Sequence, residues 1–194
     1  MTTAPTPVRA PMSVEEWAAL DEDVRGELTD GVLVEEEMPS VVHEVVVGWL
    51  YVLLSAWARA RGGVAAPSGV KLAVSAGRGR MADVVVWFAG KKPEARGAVA
   101  VAPDVVVEVV SPSAGDERRD RVEKPDDYAS FGVRWYWLVD PELRSFEVWE
   151  LSRDGRHVRA CAALGGEIAS VPGCEGLAVD VDALWAEVDR VTDR

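Results

Sequence analysis

The sequence predicts a mixed α/β fold with a central sheet flanked by helices. Three observations point to it. Short Val-rich runs, at Val84-Val85-Val86 and Val105-Val106-Val107, read as strands buried on both faces of a sheet. An uncharged stretch from Val45 to Ala58 reads as a long buried helix. Strand-like and helix-like segments then alternate along the chain, as packed layers of sheet and helix require.

The elements follow in order. Ser13 is a plausible N-cap with Glu16 three residues on, which is capping-box spacing, so a short helix is expected over Val14 to Leu20. Asp30-Gly31 marks a hairpin turn within Glu27 to Val34. The longest helix starts at about Ser40 and runs to about Arg61, ended by Gly62-Gly63. Val70 to Val74, Asp83 to Phe88 and Asp104 to Val110 read as strands. Arg121 to Phe131 reads as helical and is closed by Gly132. Pro125 disfavours helical geometry at Lys124, which leaves as the alternative a helix that starts only at Pro125, with Lys124 at its entrance. Arg134 to Val139 is a strand stopped by Asp140-Pro141. Phe146 to Leu151 and His157 to Ala163 form an antiparallel pair around Asp154-Gly155. Val181 to Val191 has the helical spacing of Leu184, Trp185 and Val188.

Length and composition bound the rest. The chain has 194 residues, 48% hydrophobic and 28% charged, which argues for a folded globular protein. Residues 1–12 carry three prolines and no apolar run, so a flexible tail is expected there, ahead of one domain over 13–194. Val45 to Ala58 is shorter than the ~20 residues a membrane span needs. The expectation is a cytoplasmic protein with no membrane partner. Cys161 and Cys174 lie outside any metal or CxxC spacing and read as free thiols.

The net charge is −12, which argues against tight coating of nucleic acid. The excess is uneven. Residues 1–58 carry net −9, residues 59–96 net +6, and residues 97–194 net −9. Arg78 and Arg80 fall in the basic stretch just before Asp83, as a local basic lip able to meet a phosphate.

Acids inside buried strands are the informative residues, because an unpaired buried carboxylate is costly. Asp83 opens one valine strand, and Glu108 interrupts another. Asp104 lies on the same strand face as Glu108 but ~13 Å away along it, too far to share one ion. Asp83, from a neighbouring strand, can meet Glu108. Such a pair of carboxylates suits Mg²⁺ or Mn²⁺.

Several segments then fall into one order: Glu27-Leu28-Thr29-Asp30-Gly31; Ser40 with His43; Arg80-Met81-Ala82-Asp83; Pro103 to Pro112; Lys124 with Tyr128; and Gly132 to Pro141. Together they resemble the bacterial putative restriction endonuclease family of the Uma-two type, in the PD-(D/E)XK nuclease superfamily, over roughly residues 13 to 190. The resemblance implies a restriction-endonuclease-like fold and a Mg²⁺- or Mn²⁺-dependent endonuclease acting on DNA; the acidic charge balance makes weak, salt-sensitive binding the expectation. The resemblance implies that Asp83 and Glu108 hold the metal, with Glu27 as a third acid of the metal site. The superfamily's lysine usually lies two residues after the second acid, where this chain has Val110; Lys124 matches the family's relocated lysine. His43 would contact the phosphate or support the metal shell. Ala82 stands where the pattern expects proline. The alternative is a nuclease-like binding or regulatory module without turnover. Tyr128 and Ser111 read as structural. Trp135 and Trp137 read as core packing or as a homodimer surface.

Overall fold

The computed structural model describes residues 11–21, 24, 26–35, 38–111 and 118–192. Most of the expected N-terminal tail and Pro112 lie outside the described residues. Met12 is tied down, its N–H donating to the Gly31 carbonyl at 2.8 Å.

The short helix α1 (Val14–Ala18) starts with both halves of the capping box, Ser13 and Glu16 each accepting the other's N–H. A hairpin follows, β1 (Glu27–Thr29) and β2 (Val32–Val34). Asp30 and Gly31 both have positive φ, 50° and 76°, the geometry of a tight two-residue hairpin turn. Helix α2 (Val41–Arg59) is capped by Ser40, whose hydroxyl accepts the His43 N–H at 3.1 Å. Strands β3 (Val64–Pro67), β4 (Lys71–Ser75), β5 (Arg78–Met81), β6 (Val84–Trp87) and β7 (Val105–Val109) come next. A π-helical turn (Arg119–Glu123) runs straight into α3 (Lys124–Phe131), which ends at left-handed Gly132. Then come β8 (Trp135–Asp140), β9 (Ser145–Leu151), β10 (His157–Ala163), the small pair β11 (Glu167–Ile168) and β12 (Val179–Asp180), and α4 (Val181–Asp189).

Six strands form the central sheet in the order β10-β9-β8-β7-β6-β3. All neighbours are antiparallel except β7 and β8. A parallel pair needs a crossover connection, and the π-turn with α3 supplies it. Strands β2-β1-β5-β4 form a second, antiparallel sheet. The mixed central sheet flanked by helices is therefore as expected. β3 and β5 were not foreseen: Val64–Pro67 is short, and Arg78–Met81 is too charged to read as a strand by hydrophobic alternation.

Side chains alternate across the central sheet. Val84, Val86, Val105, Val107, Trp135 and Trp137 face α2 and α4 in the larger core. Val85, Val106, Tyr136 and Leu138 face the opposite way, toward α3 and Leu72 of β4. Trp135 and Trp137 are thus core residues rather than an exposed dimer surface. By length and composition α2 could cross a membrane. Its Val46, Val47, Leu50, Leu54 and Trp57 are instead buried against the sheet, each such side chain contributing about 1.5–3 kcal/mol. Both cysteines are free thiols, as expected.

Candidate active site

Glu108 belongs to the set of residues on β7 that faces α3, between Val106 and Val110. The pairing of β6 with β7 sets Val84 against Val107, so Asp83 stands one step beyond, opposite Glu108. Asp83 Oδ2 accepts the Val109 N–H at 2.7 Å, which locks the aspartate across the two strands. Asp104, at the far end of β7, is spent elsewhere: it accepts the Phe88 N–H at 2.7 Å and pairs with Lys91 at 2.8 Å.

Lys124 approaches from α3. Its Nζ lies 2.9 Å from Glu108 Oε2, 2.8 Å from Asp120 Oδ1 and 3.9 Å from Glu27 Oε1. The alternative in which Pro125 leaves Lys124 outside the helix is corrected. Lys124 is helical, at φ −62° and ψ −38°, and its N–H reaches back five residues to the Arg119 carbonyl. Pro125 has no N–H to place, and the widened π-turn ahead of it makes room for its ring where an ordinary helix would clash.

Tyr128, one helical turn further on, donates its hydroxyl to Glu108 Oε1. Its reading as a packing residue alone is therefore also corrected. Glu108 has a donor on each oxygen and is 2% exposed.

His43, on the first turn of α2, places Nε2 3.3 Å from Asp83 Oδ2. Its Nδ1 is buried with no hydrogen-bond partner among the described residues. Glu27 is fully buried; Oε2 accepts from the Arg80 guanidinium and Oε1 accepts the Met81 N–H at 3.0 Å. Arg80 is not part of a basic lip. It is fully buried and pairs with Asp127 of α3 as well as Glu27, while Arg78 pairs with Asp30 and Asp127. This strand can run beneath α1 because residue 79 is glycine. A Cβ there would stand 2.3 Å from the Trp17 ring.

The charges act strongly on each other because they are buried. Burial pushes the Glu108 carboxyl well above its ordinary value; Lys124 opposes this, while Asp83, Asp120 and Glu27 add to it. Asp120 is raised for the same reasons. For Lys124 burial disfavours the charge, but Glu108, Glu27 and Asp120 outweigh it and hold the ammonium well above the usual lysine range. Burial likewise opposes the His43 charge, and its hydrogen bond to Asp83 prevails, raising it.

A cleft of about 730 Å³ opens over this cluster. Asp83, Glu108, Asp120, Lys124 and His43 line it, with Lys71 and Arg96 on its walls. Ser111 lines it as well. Glu27 lies behind this lining, under Arg80. Of the five residues expected at the site, four share one cleft and the fifth supports it from beneath. The sequence reading missed Asp120. Its signal was the spacing Asp120, Lys124, Tyr128, four residues apart, visible only if the helix is carried back past Arg121.

A divalent ion can be weighed against this donor set. Among the described residues no three His, Cys, Asp or Glu side chains gather closely enough to hold a metal ion. Mg²⁺, however, commonly takes one or two carboxylates and keeps its waters. Asp83, just ahead of β6, and Glu108 on β7 supply hard oxygens at an open cleft, and the His43 ring stands against Asp83 through Nε2. That chemistry fits Mg²⁺ or Mn²⁺.

Comparisons with known proteins agree with the architecture. The family model for Uma2, described as putative restriction endonuclease, matches residues 13–182. No curated protein matches the chain. Among solved structures, a putative nuclease belonging to DUF820 from Anabaena variabilis ATCC 29413 aligns with a TM-score of 0.72 and 18% identity. The alignment covers 92% of this chain and 99% of that one. At that identity the likeness speaks for the fold.

Proposed function

Because the chain belongs to the Uma2 putative restriction endonuclease family, we propose that it hydrolyses DNA phosphodiester bonds in the cleft over Asp83, Glu108 and Lys124, with Mg²⁺ or Mn²⁺. The observation that carries this reading is the meeting of those three side chains from β6, β7 and α3 in one opening.

Asp83 and Glu108 would hold the ion. When bound, it lowers the pKa of a coordinated water and offsets the phosphate's charge. The chain's own groups divide the remaining work. Lys124 keeps its proton at neutral pH, so it serves as a fixed positive charge facing the phosphate and not as a base. Tyr128 holds Glu108 by its second oxygen and fixes the carboxylate plane. The Val109 amide and His43 hold Asp83. Glu27 is a positioning residue: with Arg80 it ties β1 to β5, and it adds to the field that keeps Lys124 charged. Lys71 has its ammonium on the carbonyls of Trp17, Ala18 and Leu20, so Arg96 is the cation on the cleft wall better placed to meet a backbone phosphate. One such contact on an acidic chain implies modest, salt-sensitive DNA affinity.

The test is plasmid nicking with Mn²⁺ or Mg²⁺. Wild type should cut and Asp83→Ala should not; equal nicking by both would sink the assignment. One observation favours a second reading, a nuclease-like module that binds without turnover: the Lys124 ammonium already sits on Glu108 Oε2. No calorimetric heat with Mn²⁺ and no cleavage of any DNA or RNA would establish that reading instead.

A further inference from the structure

Asp120 is the buried acid in the cleft that no sequence motif singled out. It lies on the π-helical turn ahead of α3 and is 4% exposed. Its Oδ1 is 2.8 Å from Lys124 Nζ, as close as Glu108 is from the other side. The backbone at this point is unusual and is held from the sheet. In the wide turn the Lys124 N–H reaches the Arg119 carbonyl, and the Asp120 carbonyl accepts the Tyr136 hydroxyl of β8 at 2.7 Å. A buried carbonyl needs such a partner. The Tyr136 ring packs on Tyr128 with centroids 5.6 Å apart. One sheet residue therefore holds the backbone of the residue whose side chain holds the lysine.

We infer that Asp120 is a positioning residue that shares Lys124 with Glu108 and so keeps Glu108 able to take a divalent cation. The inference rests on the metal-site reading above. An ammonium has three donors and no acceptor. Two of those directions go to Glu108 Oε2 and Asp120 Oδ1, and the next carboxylate, Glu27, is 3.9 Å away. With Asp120 gone, Glu108 is the one carboxylate left within 3 Å of Lys124 among the described residues, with Glu27 standing off at 3.9 Å. A lysine drawn wholly onto that oxygen repels a metal ion arriving there. Asp120 offers the ammonium a second carboxylate, and the π-turn pinned by Tyr136 keeps that carboxylate in place.

The test is Mn²⁺ binding to the full chain by calorimetry. Four proteins are compared: wild type, Asp120→Asn, Lys124→Met and the double variant. Asp120→Asn should weaken Mn²⁺ binding roughly tenfold, the cost typical of a residue that orients a metal ligand. In the Lys124→Met background the same change should cost less than about threefold, because the lysine it acts through is gone. Lys124→Met alone should bind Mn²⁺ more tightly than wild type. An equal loss in both backgrounds overturns the inference, since Asp120 would then act on the ion directly. Unchanged or tighter binding in Asp120→Asn overturns it too.

Tyr136→Phe keeps the ring and removes the hydroxyl from the Asp120 carbonyl. It should weaken Mn²⁺ binding in the same direction and lose that effect with Lys124→Met. It decides the matter if Asp120→Asn yields too little folded protein, and a neutral Tyr136→Phe would then overturn the inference. The underlying reading fails separately and recognisably: Mn²⁺ binding would be absent in wild type, or would survive both Asp83→Asn and Glu108→Gln.

Discussion

The two faces of the six-stranded sheet are built from the same strands and differ by one residue's step along them. On β7, Val105, Val107 and Val109 enter a wholly apolar core beneath α2 and α4. Val106, Glu108 and Val110 face α3, where Glu108 meets Lys124 and Tyr128. Both faces are dry. The first is stabilised by area removed from water, and the second tolerates ionised groups because each is given a partner. One face makes the protein fold, and the other is where chemistry can be placed at a fixed geometry.

The contrast can be broken from either side. The largest expected effect is Glu108→Gln, which should lower metal-dependent DNA cleavage by more than ~100-fold, beyond what loss of a residue that merely orients a ligand costs. Its melting temperature should move by no more than ~4 °C, about 1 kcal/mol at this chain size. If the variant melts as early as a core deletion, the charged face is scaffold and the division fails. The counterpart is Trp137→Ala on the α2 face, buried and packed at 5.3 Å on Phe146. It should cost about 3–5 kcal/mol in denaturant titration while leaving cleavage per folded molecule unchanged.

A smaller effect concerns the thiols. Burial pushes the Cys174 thiol up to about 12, with Glu175 adding, while Cys161 is only partly buried and raised less. At pH 8 a thiol reagent should label Cys161 in the native protein, and Cys174 only on unfolding. Equal labelling rates would mean the apolar core opens locally.

The two histidines give the smallest and most diagnostic effect, because they titrate in opposite senses. His43 is raised, against the cost of its burial, by Asp83. Its contribution is fully present below pH ~6.5 and is lost as pH rises through its folded value. His157 is lowered by burial, against its contacts to the Pro125 and Val133 carbonyls. The unfolded chain takes up that proton first, so the fold loses stability as pH falls below ~6.5. Unfolding curves from pH 5.5 to 8 should show His43→Gln approaching wild type as pH rises, and His157→Gln gaining on wild type as pH falls. Parallel slopes for the two variants would contradict the assigned environments.

Much of this was legible beforehand, for reasons that differ by residue. Glu108 stood out because an acid inside a valine run cannot be left unpaired. Asp83 followed because neighbouring strands can bring side chains opposite one another. The Asp30-Gly31 turn and the Ser13 and Ser40 caps are local signals, complete within a few residues. Arg80 could not be read this way. A charged residue beside Asp83 looks like surface until β1 is paired with β5 and α3 is laid across them, which brings Glu27 and Asp127 to it. Lys124 was misjudged because the rule for residues before proline is a preference and not a bar: Lys124 takes ordinary helical angles directly ahead of Pro125.

The sequence by itself determined the periodicity of the valine-rich strands and the long helix, which face of each is apolar, and that two acids break the apolar pattern. Those properties depend on side-chain alternation along a single strand, which spacing encodes directly. Tertiary structure alone decided which charges neutralise which. Glu27, Arg80, Asp120 and Lys124 lie up to 97 positions apart in the chain. Their pairing arises only when β1 pairs with β5 and the parallel β7–β8 crossover folds α3 back over the sheet, and over distances of a few ångströms among buried groups it is that packing that sets the electrostatics.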